Sequence, residues 1–245
     1  MMSRLPRNHA ESRSQLVFSW ISISAAYLLL SAFMLRIGLM LDLRQWWVPL
    51  AFGAGMATAD FASGLVHWAA DTWGRDDLPV IGRRLLVPFR IHHINPEEFL
   101  KRPFVETNGD VSFLGIPPIG CLLAVPLDST WGGPFSIFGL GLCGVGMLTN
   151  QIHQWAHMPS PPRAVRVLQD CRLILGRAEH ARHHRRPYDG CYCITTGWFN
   201  APLERAGFFR RLEKCMTWAT GLVPRQDDRR YEQRYGSNVI SEWSA

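Results

Sequence analysis

Three of the nine histidines in this chain lie within five residues, in the segment HARHH at residues 180–184. Protonated imidazoles at this spacing would repel one another. A tight cluster therefore indicates that a metal ion keeps the rings neutral and uses them as ligands. The positions of the other histidines bear on how many ions the chain would hold.

The remaining histidines, apart from His9 in the N-terminal tail, form three further short clusters. His153 and His157 are four residues apart, so their rings leave one face of a helix and can meet at one ion. The full set of candidate ligands is His67, His92, His93, His153, His157, His180, His183 and His184. Eight imidazoles are too many for one tetrahedral ion but enough for two ions with open positions. Imidazole alone does not choose between zinc, copper, iron and nickel.

Acidic and amide side chains accompany these clusters. Asp60 lies inside an apolar segment, where an ionisable group is costly, so it is predicted to accept a hydrogen bond from a ligand ring. Asp71 follows His67 by four residues and either binds the metal or orients a ring, the second role being favoured. Glu106, Asn108 and Asp110 lie in ETNGD, which is predicted to precede a helix. They would cap that helix around an Asn-Gly turn, contact a lipid headgroup or support a ligand.

Four apolar blocks place these clusters in a membrane. The blocks cover about residues 16–41, 46–68, 111–127 and 132–152, and about 20 apolar residues cross a hydrocarbon core. The sequence therefore predicts an all-α integral membrane protein, with four transmembrane helices and a cytoplasmic cap of histidine-rich helices. The predicted domain runs from 16 to 221, between polar tails at 1–15 and 222–245.

The basic residues orient the predicted helices. Arginine and lysine concentrate before the first block, between the second and third, and after the fourth. The positive-inside rule then puts both termini and the 67–110 loop in the cytoplasm, in a bacterial cytoplasmic membrane or the endoplasmic reticulum. The net charge of +6 suits contact with anionic lipid headgroups. Without a basic helix or an aromatic platform, it does not indicate a nucleic-acid partner.

Several longer motifs make a family resemblance specific. They are ADFASGLVHWAADTWG, PFRIHHINPEEF, FVETNGD, TNQIHQWAH, LQDCRLIL, HARHH and CYCITTGWFNAPLERAGFFRRLE, in that order over residues 59–213. On these motifs the chain is identified as a member of the Kua family, which carries a lipid desaturase domain. One departure is Glu179, where animal members of the family have a histidine.

The resemblance implies an activity and a cofactor. It implies oxygen-dependent desaturation of an intact ether phospholipid, in which a 1-O-alkyl chain becomes the vinyl ether chain of a plasmalogen. It also implies that the eight clustered histidines hold two iron ions and that O2 is the co-substrate. A plant branch of the family desaturates an acyl chain of phosphatidylglycerol, so an acyl-lipid desaturase or a hydroxylase is the alternative enzyme.

The source of electrons lies outside the chain. The only GxGxxG string, GLGLCG at residues 139–144, lies inside the fourth apolar block and does not follow a strand, so it is not a dinucleotide fingerprint, and the sequence has no CxxCH haem motif. A separate carrier, such as cytochrome b5 or a ferredoxin with its reductase, is therefore expected. A non-enzymatic metal transporter or sensor is the remaining alternative, but a transporter should carry ligands near the membrane midplane, whereas these histidines gather at one face.

Overall fold

A computed structural model describes residues 11–226, Arg230 and Gln233, so His9 lies outside the described residues. The described part of the chain is helical and contains no strand. Its elements in chain order are α1 (Arg13–Met40), α2 (Trp47–Thr72), a π-helical turn (Gly82–Leu86), α3 (Val87–Ile94), α4 (Pro96–Leu100), α5 (Phe104–Leu123), α6 (Gly132–Gly146), α7 (Thr149–His157), α8 (Arg163–Asp170), α9 (Arg177–His183), α10 (Asn200–Arg205) and α11 (Phe208–Thr220).

Helices occupy all four predicted apolar blocks, but their boundaries differ from the prediction. The first begins at Arg13, where Ser12 and Gln15 form a reciprocal capping box. The fourth is not one helix but two, because α6 ends at Gly146 and α7 continues after a bend of 44°. Gly144 and Gly146 have low helix propensity at this point. The bend separates the apolar α6 from the histidine-bearing α7.

The long helices pack in two pairs, α1 against α5 and α2 against α6. Phe33 of α1, Ile119 of α5 and Ile137 of α6 belong to one buried core. The α2–α6 pair is close because a Cβ atom on Gly55 would overlap the carbonyl oxygen of Phe138, and one on Gly141 would overlap that of Phe52. Small residues thus allow the two backbones to touch, as is common between helices in lipid.

The evidence for membrane spans is strongest for α1. By length and composition, α1 alone among the described helices could cross a membrane, and the bent pair of α6 and α7 would make a second span. The prediction of four membrane spans is therefore not confirmed by the length and composition of the helices. α1 nevertheless exposes large apolar side chains along its length, including Trp20, Leu28 and Leu39.

The segment ETNGD differs from its prediction. α5 begins at Phe104 with Pro103 as its N-cap residue, so Glu106, Asn108 and Asp110 lie inside the helix and form neither a cap nor a turn. The helix accommodates Asn108 because its Nδ2 donates to the carbonyl oxygen of Phe104, one turn back. Glu106 lies in the first turn, where a negative charge is favourable beside the helix dipole.

Candidate metal centre

The eight predicted histidines converge in the structure and divide into two groups of possible ligands. In each group, one ligand atom per residue lies within 4.8 Å of every other. The first group consists of His92, His153, His157, His180 and His184, and the second of His67, Asp71, His93 and His183. The two groups are adjacent, since the rings of His183 and His184 are 5.4 Å apart between centroids.

Helical register decides which residues share a group. Residues four apart lie on one face of a helix and stay together, as His153 and His157 do on α7. Neighbouring residues point about 100° apart around a helix, so the pair His92 and His93 divides between the groups. The C-terminal end of α9 behaves in the same way, because His183 and His184 also divide between the groups. The i, i+4 prediction for α7 therefore agrees with the structure.

Hydrogen bonds between the rings do not explain how many ring nitrogens of the first group lie close to one another. The Nε2 atom of His180 lies 2.7 Å from that of His157, 2.9 Å from that of His153 and 3.1 Å from that of His184. One Nε2 carries either one hydrogen or one lone pair, so it cannot hydrogen bond to all three. Ligands at right angles on an ion with bonds of about 2.1 Å are about 3.0 Å apart, against about 3.4 Å in a tetrahedron. The five nitrogens thus fit one ion with more than four ligands.

The second group surrounds a buried carboxylate. Oδ2 of Asp71 lies 3.2 Å from Nε2 of His67, 3.4 Å from that of His183 and 3.5 Å from that of His93. Neither Asp71 oxygen makes a hydrogen bond within the described residues. A buried carboxylate that faces three imidazole nitrogens without hydrogen bonds fits a cation between them. The geometry favours ligation for Asp71 over the orienting role favoured from the sequence.

Backbone carbonyl groups orient two rings of the second group. Nδ1 of His67 lies 3.0 Å from the carbonyl oxygen of Tyr192, and Nδ1 of His183 lies 2.8 Å from that of Gly190. Each Nδ1–H donates to its carbonyl, which leaves the lone pair on the Nε2 that faces Asp71. The sequence did not predict this role for residues 190–192, because every residue has a backbone carbonyl group and its use cannot be recognised from the residue type.

Burial keeps the ligand rings neutral. It lowers the pKa of His93 to about 3, with Asp71 opposing the shift. Burial, followed by repulsion from neighbouring imidazoles, also holds the pKa of His180 and of His184 well below the ordinary value. Neutral imidazole is the form that binds a metal, so the site is ready for ligation at neutral pH.

Asp60 was predicted to accept a hydrogen bond from a ligand ring, but the structure gives its carboxylate other partners. It is seven residues, or about 10.5 Å along α2, before His67, which is beyond the reach of a carboxylate. Its two oxygens instead accept four backbone N–H groups at 2.7–3.2 Å, those of Thr195, Thr196, Gly197 and Phe199. Asp60 therefore holds the loop that follows the carbonyl groups of Gly190 and Tyr192.

Other polar residues predicted near the site have separate partners. Asn108 is buried and its Nδ2 donates to Oε1 of Gln151 on α7, 3.2 Å away, so it joins α5 to the helix that carries two ligands. Asp110 pairs with Arg84, and Glu106 lies 3.9 Å from Arg102. Glu179, at the position of the family difference, pairs with Arg182 at 3.0 Å.

A cavity of about 170 Å³ adjoins the first group. His92 and His153 form part of its wall, beside the apolar side chains of Phe89 and Phe99. The ring of Phe99 is 5.1 Å from that of His153 and 5.3 Å from that of His92. The cavity wall thus combines apolar surface with two of the candidate ligand side chains.

Comparison with known proteins identifies the family. A family model described as lipid desaturase domain matches residues 56–227, which include both groups of possible ligands. The chain belongs to the lipid desaturase domain family. The resemblance found in the sequence motifs is therefore confirmed, and no solved structure matches this lipid desaturase chain.

Curated relatives of this lipid desaturase chain include bacterial, animal and plant proteins. Plasmanylethanolamine desaturase of Myxococcus xanthus is 44% identical over 75% of the chain and 65% of the relative. Plasmanylethanolamine desaturase 1 of Mus musculus is 43% identical over 76% of the chain and 71% of the relative. The chloroplastic fatty acid desaturase 4 of Arabidopsis thaliana is 33% identical over 72% of the chain and 54% of the relative. The chain thus spans about two thirds of the length of the first two.

Proposed function

We propose that this chain is an oxygen-dependent membrane desaturase that forms the vinyl ether bond of plasmalogens, converting plasmanylethanolamine to plasmenylethanolamine. The observation that carries the proposal is the pair of adjacent buried ligand groups, of which the first borders a partly apolar cavity. The choice of an ether lipid is supported by two relatives named plasmanylethanolamine desaturase, at 44% and 43% identity.

Two iron ions are the proposed cofactor. The five histidines of the first group would hold one ion, and His67, Asp71, His93 and His183 the other. Bound iron supplies the activation of O2 that is needed to remove hydrogen from two unactivated carbons. Overall, O2 takes two hydrogen atoms from the alkyl chain, together with two electrons and two protons from outside, and leaves as two molecules of water.

The protein's own contribution is to orient ligands and to exclude water. The Nδ1 contacts of His67 and His183 fix which ring nitrogen faces the ion. Phe89 packs 5.2 Å from His67, and Phe99 packs against His92 and His153. These rings surround the ligands with apolar surface, so an alkyl chain can approach while bulk water stays out.

The proposed topology has four spans and a cytoplasmic metal centre. The ligands lie at the C-terminal ends of α2 and α7 and on the short helices α3 and α9, so they share one end of the bundle. α2 and α5 also expose large apolar residues, such as Leu50 and Leu114. Both ends of the domain at 16–221 would lie on the metal side, where cytochrome b5 or a ferredoxin could deliver electrons.

Lipid mass spectrometry on cells that lack plasmalogens tests the proposal. The cells would express the wild type, H183A or H9A and receive an alkyl ether lipid. Acid-labile vinyl ether lipid is expected with the wild type and with H9A, because the sequence places His9 in the N-terminal tail, and not with H183A. Stable wild-type protein without vinyl ether, beside an active control desaturase, would reject the ether substrate. A new double bond in an acyl chain would then support the alternative shared with the Arabidopsis relative.

A further inference from the structure

The wall of the cavity beside the first ligand group includes charged side chains of both signs. Arg84 and Arg102 line it together with the carboxylates of Glu11, Glu98 and Asp110. A site for a purely apolar chain needs no charged wall, and a site for an anion would not place three carboxylates beside it. Charges of both signs suit a ligand that is itself zwitterionic.

The environment of Glu11 indicates which cationic group the zwitterionic ligand carries. Its Oε2 atom is buried and has no hydrogen-bond partner among the described residues. Burial raises the pKa of Glu11, and the neighbouring Glu106 raises it further. A buried carboxylate oxygen of this kind gains most from a cation that also donates hydrogen bonds. A primary ammonium group does both, whereas a quaternary ammonium group has no hydrogen to donate.

The charged part of the cavity is held at a fixed position relative to the metal ligands. Nε2 of Gln154 on α7 donates to the carbonyl oxygens of Phe99 and Arg102, at 2.8 and 3.0 Å. Nδ2 of Asn150, also on α7, donates to the carbonyl oxygen of Thr107 at 2.9 Å. The helix that carries His153 therefore also positions the segment that carries Arg102.

We infer that Glu11, Arg84 and Arg102 form the binding site for the phosphoethanolamine headgroup of the lipid substrate, with the guanidinium groups at the phosphate and Glu11 at the ammonium. The inference rests on the proposed desaturase function and adds the residues that select the headgroup. The bond to be desaturated lies next to the ether oxygen, close to the glycerol. A headgroup site in the same cavity as His92 and His153 would place that bond beside the first ligand group.

Native mass spectrometry of the detergent-solubilised full chain tests the site without depending on activity. The protein would be offered equal amounts of phosphatidylethanolamine, phosphatidylcholine and phosphatidylglycerol. Wild type should prefer the ethanolamine lipid. E11Q should reduce the ethanolamine-to-choline ratio about tenfold, the size of one charged hydrogen bond, while R102Q should weaken binding of all three phosphate-bearing lipids.

Two control variants separate the loss of headgroup preference in E11Q from a general loss of stability or lipid binding. E97Q changes an exposed carboxylate on α4 that does not line the cavity, and it should keep the wild-type ratio. Glu11→Asp keeps a carboxylate and should retain more of the preference than E11Q. An E11Q ratio equal to that of wild type, in protein with wild-type thermal stability, would overturn the inference.

Two further arms identify the source of the ligand and separate the inference from the proposed function. Millimolar soluble phosphoethanolamine should leave most of the lipid bound, and full displacement at micromolar concentration would overturn the assignment to a lipid headgroup. Vinyl ether formation would be measured in the cells from which the wild-type protein is purified, where the electron carrier is present. No vinyl ether with an intact ethanolamine preference would count against the proposed function alone, and vinyl ether with an unchanged E11Q ratio against the headgroup site alone.

Discussion

Nδ1 of His183 lies 2.8 Å from the carbonyl oxygen of Gly190 and donates its hydrogen there. The ring is therefore fixed with the lone pair of Nε2 toward Asp71 and His93. His67 has the same arrangement with the carbonyl oxygen of Tyr192. The second ligand group thus depends on a backbone segment that supplies no ligand itself.

Metal content should follow the division into two groups. Wild-type protein purified with iron should contain about two ions per chain, and D71N should keep about one, because only the second group contains Asp71. Metal analysis by mass spectrometry measures this ratio. D128N, which alters an exposed carboxylate between α5 and α6, is the control and should keep both ions. Two ions in D71N would show that Asp71 is not a ligand.

Substitution of Asp60 should destabilise the loop that it holds. In D60N, one of the two oxygens becomes an NH2 group, which cannot accept the N–H groups that now point at the carboxylate. The loss of stability should be about 1–3 kcal/mol. Thermal unfolding of the solubilised protein measures the effect, again with D128N for comparison. Equal unfolding temperatures would mean that the four hydrogen bonds do not stabilise the fold.

The stability of the metal-free protein should fall as the pH is lowered through 6.5. The pKa values of His93, His180 and His184 are lowered in the folded state. The unfolded chain therefore binds protons that the folded chain does not. Each such histidine contributes a slope of about 1.4 kcal/mol per pH unit, from about pH 6.5 down to its folded pKa. Unfolding of chelator-treated protein at pH 8, 7, 6 and 5 measures the slope.

The variant H184Q provides the control for the pH dependence, because glutamine does not titrate. It should give a shallower loss of stability on acidification than wild type. Stability that is constant or rises between pH 7 and pH 5 would contradict the neutral, buried state of the rings.

The close approach of α2 and α6 predicts different effects at two glycines. In G141A, the added methyl group would overlap the carbonyl oxygen of Phe52, so the helices must separate, at a cost of about 1–3 kcal/mol. In G53A, the methyl group meets no atom within 4 Å. This variant should be neutral or more stable by about 0.5–1 kcal/mol. Thermal unfolding of the two variants measures the difference. A lower unfolding temperature for G53A than for G141A would contradict the close packing of α2 against α6.

Cysteine labelling tests the proposed four spans. In a background with serine at the exposed Cys121, Cys171 and Cys215, single cysteines would replace Asp128, between α5 and α6, or Lys214 on α11. A membrane-impermeant maleimide applied to intact bacterial spheroplasts should label D128C and not K214C. Inverted vesicles should give the reverse. Labelling of both positions from one side would exclude the proposed topology.

The sequence predicted features that depend on local order along the chain. The length of an apolar block is enough to indicate a helix, so the four long elements could be identified from the sequence. The pairing of His153 with His157 follows from helical geometry alone. The division of His92 from His93 between two groups also follows from that geometry, but only once the positions of the partner helices are known.

The features that sequence reasoning missed depend on contacts between distant parts of the chain. Asp60 was recognised as unusual, but its partners lie 135 to 139 residues away and are backbone N–H groups. The start of α5 was misplaced because an Asn-Gly pair is typical of turns. Here Asn108 bonds within the helix and to Gln151, and these contacts outweigh the local preference.

The distribution of ligands along the chain sets the order in which the metal centre can be completed during synthesis. Both groups include residues from the end of α9, His180 and His184 in the first and His183 in the second. A nascent chain that stops short of residue 180 therefore has three ligands of each group and cannot close either one. The loop that Asp60 holds emerges later still. The four long helices are thus synthesised before either group has all of its candidate ligands.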